Sequence, residues 1–254
     1  MRDKKRKIHL GGTARSLDDV QSLCDLGLQF AEIPITNPRK FAGLVEEYKI
    51  LRDKLGIYYL CHGPREGDPN DMGRLEKEYF PKVLEVLSLM TKLDMPLLTV
   101  HLWLDSRYLK QEVIDFKIGF LKRIIHRAGD SGIMICLENL SEKASDMSKA
   151  FHDLPLLNLT LDLGHAQLLT EENRSYGFMA RYPERMKHIH LHDNRGGNSS
   201  RDDLHLPPGE GIIDFQKIFQ MLRTTVYERT ITLELRPHEI KGCLQKVKKT
   251  LSQM

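Results

Sequence analysis

The chain is poor in cysteine and has no long apolar run. Four cysteines, Cys24, Cys61, Cys136 and Cys243, are dispersed over 254 residues with no CxxC pair. That excludes a disulfide framework and suits a reduced, cytoplasmic chain. No stretch approaches the ~18 apolar residues of a membrane span, so no membrane partner is expected. The basic start, residues 2–7, runs straight into Ile8-His9-Leu10 and two glycines. A signal peptide needs a longer apolar run there, so no export is expected. Excess charge of one sign is missing too: 38 basic residues face 35 acidic ones, a net charge of +3. A dedicated nucleic-acid binder usually carries a stronger basic bias. The basic runs at residues 2–7 and 246–249 read as solvated ends. There is no low-complexity linker or composition shift, so residues 1–254 are expected to form one domain.

What is present is an alternation. Hydrophobic residues make up 41% of the chain and aromatic residues 7%, enough for a sizeable core. Short β-rich runs fall at Lys7–Gly12, Gln29–Ile35, Ile57–His62, Leu97–Trp103, Ile133–Asn139, Leu157–Leu163, Lys187–Asp193 and Arg229–Arg236. Amphipathic stretches separate them. Phe41, Leu44, Val45, Tyr48 and Leu51 recur at helical spacing within one helix predicted over Pro38–Leu55. Phe80, Val83, Leu84, Leu87 and Met90 do the same, as do Ile114, Ile118, Leu121, Ile124 and Ile125. Ser16 and Asp214 stand where helix caps belong, and Gly27, Gly56 and Gly132 where helices close. Eight βα units in about 250 residues predict a parallel sheet closed into a single (β/α)8 TIM barrel. No GxGxxG follows the first strand, which argues against an open dinucleotide-binding sheet.

In such a barrel, chemistry sits at the C-terminal ends of the strands. Six of the predicted strands carry a carboxylate or imidazole there: His62, His101, Glu138, Asp162, His190 and Glu234. Strand alternation points Glu138 and Glu234 inward and Leu137, Leu233 and Leu235 outward. Cys61 and Cys136 are expected outward, as core residues. A lone inward His or Glu is usually a hydrogen-bonded structural residue. Six at one mouth are not explained that way, and clustered carboxylates repel unless a cation lies between them. The N/O donor set suits zinc or manganese, also iron or cobalt, and calcium less.

At these residues the chain resembles the xylose isomerase-like barrel superfamily, which includes sugar isomerases and epimerases and the endonuclease IV branch. The most specific parts are Leu161-Asp162-Leu163-Gly164-His165 and the block from His190 to Phe215, with Asp203-Leu204-His205-Leu206-Pro207 inside it. The resemblance implies an isomerase-type metal site of Glu138, Asp162, His190 and Glu234. In that branch the two glutamates also exchange protons next to a carbonyl. The endonuclease branch implies five further ligands, His62, His101, His165, Asp203 and His205, giving one to three ions. Such ions could activate water and clamp a phosphoryl group. Departures from that branch follow Glu138, where Asn139-Leu140-Ser141-Glu142 stands, and Asp162, where Leu163-Gly164-His165 stands. Both are similar to the isomerase-type relatives. The loop Arg195–Asp202 resembles the endonuclease loop.

The leading expectation is therefore a metal-dependent isomerase or epimerase of a small sugar or sugar phosphate. The alternatives are a multi-zinc phosphodiesterase of abasic DNA and a non-catalytic metal-binding barrel, against which the intact ligand set argues. His192, Arg236, Trp103 and Glu32 are candidate substrate-binding residues, His192 with contact to a carboxylate of the site as the alternative. His192 and Arg236 share the inward parity of His190 and Glu234, and Trp103 shares that of His101. Glu32 and His9 are placed near the mouth, and His188 reads as a core histidine. The charges over Lys110–Arg127 read as the solvated face of a helix. Related barrels often associate, so a homo-oligomer stays open.

Overall fold

A computed structural model describes residues 8–252, apart from the side chain of Ser200. The basic run at residues 2–7 lies outside the described residues. Eight parallel strands close into a barrel in chain order, with β8 pairing back onto β1. They are β1 His9–Thr13, β2 Phe30–Pro34, β3 Tyr58–His62, β4 Leu97–Val100, β5 Met134–Glu138, β6 Asn158–Asp162, β7 Met186–Leu191 and β8 Thr230–Leu233. No helix among the described residues is long and apolar enough to cross a membrane.

The predicted caps form. Ser16 accepts the Asp19 N–H ahead of the helix Leu17–Asp25, and Asp214 accepts the Lys217 N–H ahead of Phe215–Thr224. Each satisfies a backbone donor that the first turn leaves orphaned. The helix predicted over Pro38–Leu55 is two helices, Pro38–Ala42 and Val45–Leu55, broken at Gly43 and Leu44. Glycine's low helix propensity weakens the run at that point. β4 stops at Val100, short of the expected Trp103. Beyond it the Trp103 and Leu104 N–H groups donate to the side chains of Glu66 and Glu142 instead of a neighbouring strand.

Outside the sheet, side chains such as Val20, Val83, Met90, Ile124, Phe178 and Ile218 fill the space under the helices. Each such side chain, fully buried, contributes roughly 1.5–3 kcal/mol. Inside, the barrel is layered. Phe30, Leu60, Leu97 and Cys136 form an apolar floor. Cys136 is therefore inward, not outward as expected; it shares the parity of Glu138 two residues on, and burial pushes its thiol up to about 12. Above the floor, Glu32, Thr99, Thr160, His188 and Thr232 form a buried polar layer. Barrel interiors are mostly filled by Val, Ile and Leu; this one carries a polar support immediately below the mouth.

Candidate metal centre

β7 sends His188 and His190 inward at the two-residue period of a strand, and His192, one residue past its end, continues the pattern. His190 is the hub. Its Nδ1 lies 3.0 Å from Glu138 Oε1, 3.3 Å from Glu234 Oε1 and 3.7 Å from Asp162 Oδ2. Donor atoms of Glu138, Asp162, His190 and Glu234 all lie within 4.8 Å of one another. The four predicted core residues are thus together, from β5, β6 and β7 and the residue after β8. Asn139 fixes one edge: its side chain donates to Asp162 O and accepts from the Asp162 N–H.

Two further groups flank this core. His62 and His101 both direct Nε2 at Glu138 Oε2, His62 from 3.4 Å. On the other side His165 and His205 approach Asp203 Oδ2 at 3.2 and 3.1 Å, and His192 joins them within the same 4.8 Å span. His192 was expected to contact either substrate or a carboxylate of the site; it lies against Asp162 at 3.2 Å and stacks on His205 with ring centroids 4.0 Å apart. Gly164 makes this fit possible, because a Cβ there would overlap the His192 ring. Nδ1 of His192 and Oδ1 of Asp203 are buried without a hydrogen-bond partner. Four carboxylates and six imidazoles in one buried mouth, with donor atoms left over, fit divalent cations held by nitrogen and oxygen.

The charge balance follows from the pairing. Burial disfavours ionised Glu138, but His101 and His190 outweigh it and hold the carboxyl well below its usual range. Burial likewise opposes protonation of His190, yet Glu234, Glu32 and Glu138 hold it well above the usual imidazole range. His205, beside Asp203 and Glu234, is pushed up to about 9 despite its burial.

Glu32 was expected at the mouth. It lies a layer lower, 1% exposed. Its carboxylate sits 3.1 Å from His190 Nε2 and 3.3 Å from His188 Nε2. Carboxylates behind a ligating imidazole fix its tautomer and orientation. Glu32→Gln is expected to weaken metal binding about 10–100-fold. A competition titration against a chromogenic chelator measures this, and unchanged affinity would remove Glu32 from the centre. His188, expected in the core, is buried between Glu32, Thr230 and Thr232. His9 is at the start of β1, bonded to the Tyr58 hydroxyl at 2.8 Å, and so lies at the far end of the barrel from the mouth.

A crevice of about 170 Å³ opens onto the centre, walled by Glu138, Glu234, His62, His101, His165 and His205, among others. It shares Arg65, His101, His165 and Asp203 with a second cavity of about 580 Å³, which Trp103 also lines. Arg236 does not reach either cavity. β8 ends before it, and its N–H is bonded to Glu239 at the start of the helix Pro237–Ser252, so strand alternation no longer applies. Positive charge comes instead from Arg15 and Arg65, both exposed on the crevice rim. Sequence reasoning missed them because they lie on loops without periodicity. Their only signal was position just past the ends of β1 and β3.

A family model described as xylose isomerase-like TIM barrel matches residues 20–251. An uncharacterized protein of Methanocaldococcus jannaschii is 28% identical over 223 residues, 78% of this chain and 70% of that protein. Among solved structures, a D-tagatose 3-epimerase-like protein superposes with a TM-score of 0.76 at 22% identity, covering 97% of this chain and 99% of the other. D-allulose 3-epimerase from Methylomonas sp. gives 0.79 at 16% identity, covering 97% and 99%. The IOLI protein with a bound zinc atom gives 0.76 at 13% identity, covering 97% and 96%. At these identities the likeness to the solved structures is one of fold.

Proposed function

The chain belongs to the xylose isomerase-like TIM barrel family, and from that premise we propose that it is a divalent-metal-dependent isomerase or epimerase of a small sugar or sugar phosphate. One observation carries the reading. Glu138 and Glu234 reach the same crevice from different sides of the barrel and converge on His190 Nδ1, at 3.0 and 3.3 Å. A carbon seated between two such carboxylates can lose a proton to one and regain it from the other.

Glu138, Asp162, His190 and Glu234 would hold the ion, zinc or manganese by donor type. When bound, the ion polarises the substrate's carbonyl and hydroxyl oxygens and so acidifies the neighbouring C–H. The residues do the rest. Glu138 is ionised at neutral pH because His101 and His190 overcome its burial, so it can accept a proton. Glu234, 10% exposed as a side chain, faces the crevice from the other side. Arg15 and Arg65 on the rim suit an anionic group such as a phosphate. The solved relatives named as 3-epimerases support this reaction class.

The test is deuterium incorporation from heavy water next to the carbonyl, over a panel of ketoses and ketose phosphates. The native protein exchanges at least one of them, and Glu234→Gln lowers that rate about 10²–10⁴-fold. Full exchange in Glu234→Gln would refute the acid/base assignment.

A second reading rests on Glu138 itself. Its Oε2 faces His62 and His101 while its Oε1 faces His190 and His165. A carboxylate with two occupied sides suits a bridge between two ions, which favours phosphoester hydrolysis at a multi-metal centre. Metal quantification separates the two. One ion per chain supports the isomerase; two or three, with cleavage of an abasic-site oligonucleotide, support the hydrolase.

A further inference from the structure

The cavity beside the metal centre is built from a different chemistry. At about 170 Å³ the crevice over the centre is smaller than the ~300–1,000 Å³ usual for a ligand pocket. The adjoining cavity, about 580 Å³, falls inside that range and is lined by Trp103, Tyr108, Leu140, Leu168 and Leu169. A free pentose or hexose bound through its oxygens to the centre would leave this apolar wall uncovered.

The wall is held rigid at high cost. The Trp103 N–H donates to Glu66 Oε1 at 2.8 Å, and its carbonyl accepts from Lys117 Nζ at 2.9 Å. The indole N–H donates to Ser141 Oγ at 2.7 Å, and that hydroxyl donates to Asp105 Oδ2 at 2.7 Å. Lys117 and Glu66 also pair at 2.7 Å, with the lysine side chain 0% exposed. Lys117 is therefore not part of a solvated helix face, as its neighbours' charges suggested. Buried ion pairs seldom repay their desolvation in stability alone, and the hydrogen bonds and ion pair of these groups run to one another and not to the metal centre's ligands. What they fix is the backbone and ring of Trp103. The indole then stacks on Tyr108 with centroids 5.1 Å apart and planes 20° apart. The Arg107 guanidinium lies 5.2 Å from the centroid of the Tyr108 ring, and Tyr108 itself is 50% exposed. The result is a preorganised aromatic slab beside a polar, cation-binding crevice.

We propose that the substrate is bipartite: an oxygen-rich, anionic or polyol head in the metal crevice, joined to a planar ring that packs on the Trp103–Tyr108 wall. Arg65 lines both compartments and stands where the two parts meet. The inference deepens the proposed function by naming a substrate class. It rests on ligand binding at that same site but not on isomerisation.

Trp103 is the only tryptophan in the chain, so its fluorescence reports on this wall directly. A matched pair of probes is ribose 5-phosphate and adenosine 5′-monophosphate, which differ by one planar base. With zinc-loaded full-length protein, the nucleotide is expected to bind about tenfold tighter and to change Trp103 emission, as stacking on an aromatic wall implies. Tyr108→Ala is expected to bring nucleotide affinity to within about twofold of the sugar phosphate, leaving the latter unchanged by calorimetry. Equal affinities in the native protein, binding of neither probe, or an undiminished preference in Tyr108→Ala would each overturn the proposal. Tyr108 is half exposed and is not one of the metal-ligating side chains, so an unaltered metal count certifies the variant's fold. A nucleotide preference without any ketose exchange leaves the bipartite site standing and removes only the isomerase reading.

Discussion

Glu138→Gln is expected to lower turnover of the true substrate by at least about 10³-fold, within the range for loss of a general acid or base, and to reduce the metal bound per chain. The change is nearly isosteric, so packing is preserved. What disappears is charge at the point where the site's groups meet. Oε1 faces His190 and His165, and Oε2 faces His62 and His101. A neutral amide cannot bind a cation on both sides, and its nitrogen end accepts nothing. The same carboxylate is the ionised base of the proposed reaction, so one substitution removes both binding and proton transfer. Steady-state kinetics and elemental analysis on the same preparation check it. Native metal content together with native turnover would exclude Glu138 from the centre.

Stripping metal is expected to produce the largest change in stability, and the size of that change should depend on pH. A ligand at a thousandfold excess over its Kd adds about 4 kcal/mol. For a chain of this size that corresponds to about 8–16 °C in Tm, at roughly 2–4 °C per kcal/mol. The sign with pH follows from the imidazoles. In the metal-free fold, neighbouring carboxylates hold His165 and His190 well above the usual range, and His205 at about 9. These folded values exceed the unfolded one near 6.5. Their contribution is therefore complete below about pH 6.5; that of His205 is lost as pH rises through about 9, and those of His165 and His190 as pH rises through their own raised values. Metal must displace those protons, so its affinity rises over the same interval. Scanning calorimetry with and without zinc between pH 6 and 9 should show the metal-free Tm falling and the gap widening. A gap that stays constant would mean that metal does not compete for these nitrogens.

Much of this site could be read without a structure, and the misses share a cause. The period-two pattern of β7 identifies His190 as inward, and the same rule selects Glu138 and Asp162. Alternation tells in from out but not how deep a residue sits. Depth depends on strand tilt and stagger, which closure of the barrel sets. Glu32 has the expected inward direction and the wrong height, and it became the support of His190 instead of a mouth residue. Arg236 fails differently, because alternation was extended past the last paired residue of β8. Lys117 fails because a charge on an amphipathic helix normally faces water; its partner Glu66 arrives from a loop 51 positions earlier.

By itself, the sequence determined the order of strands and helices, the closure expected of eight such units, and the side chains able to ligate at the strand ends. These follow from short-range rules of pattern, capping and turn chemistry, each contained within one segment of chain. Only the tertiary structure decided which carboxylate oxygen faces which imidazole, that His192 joins the ligand cluster, and that a rigid aromatic cavity adjoins it. Those are relations between segments tens of residues apart, fixed when the barrel closes and its loops settle over the mouth.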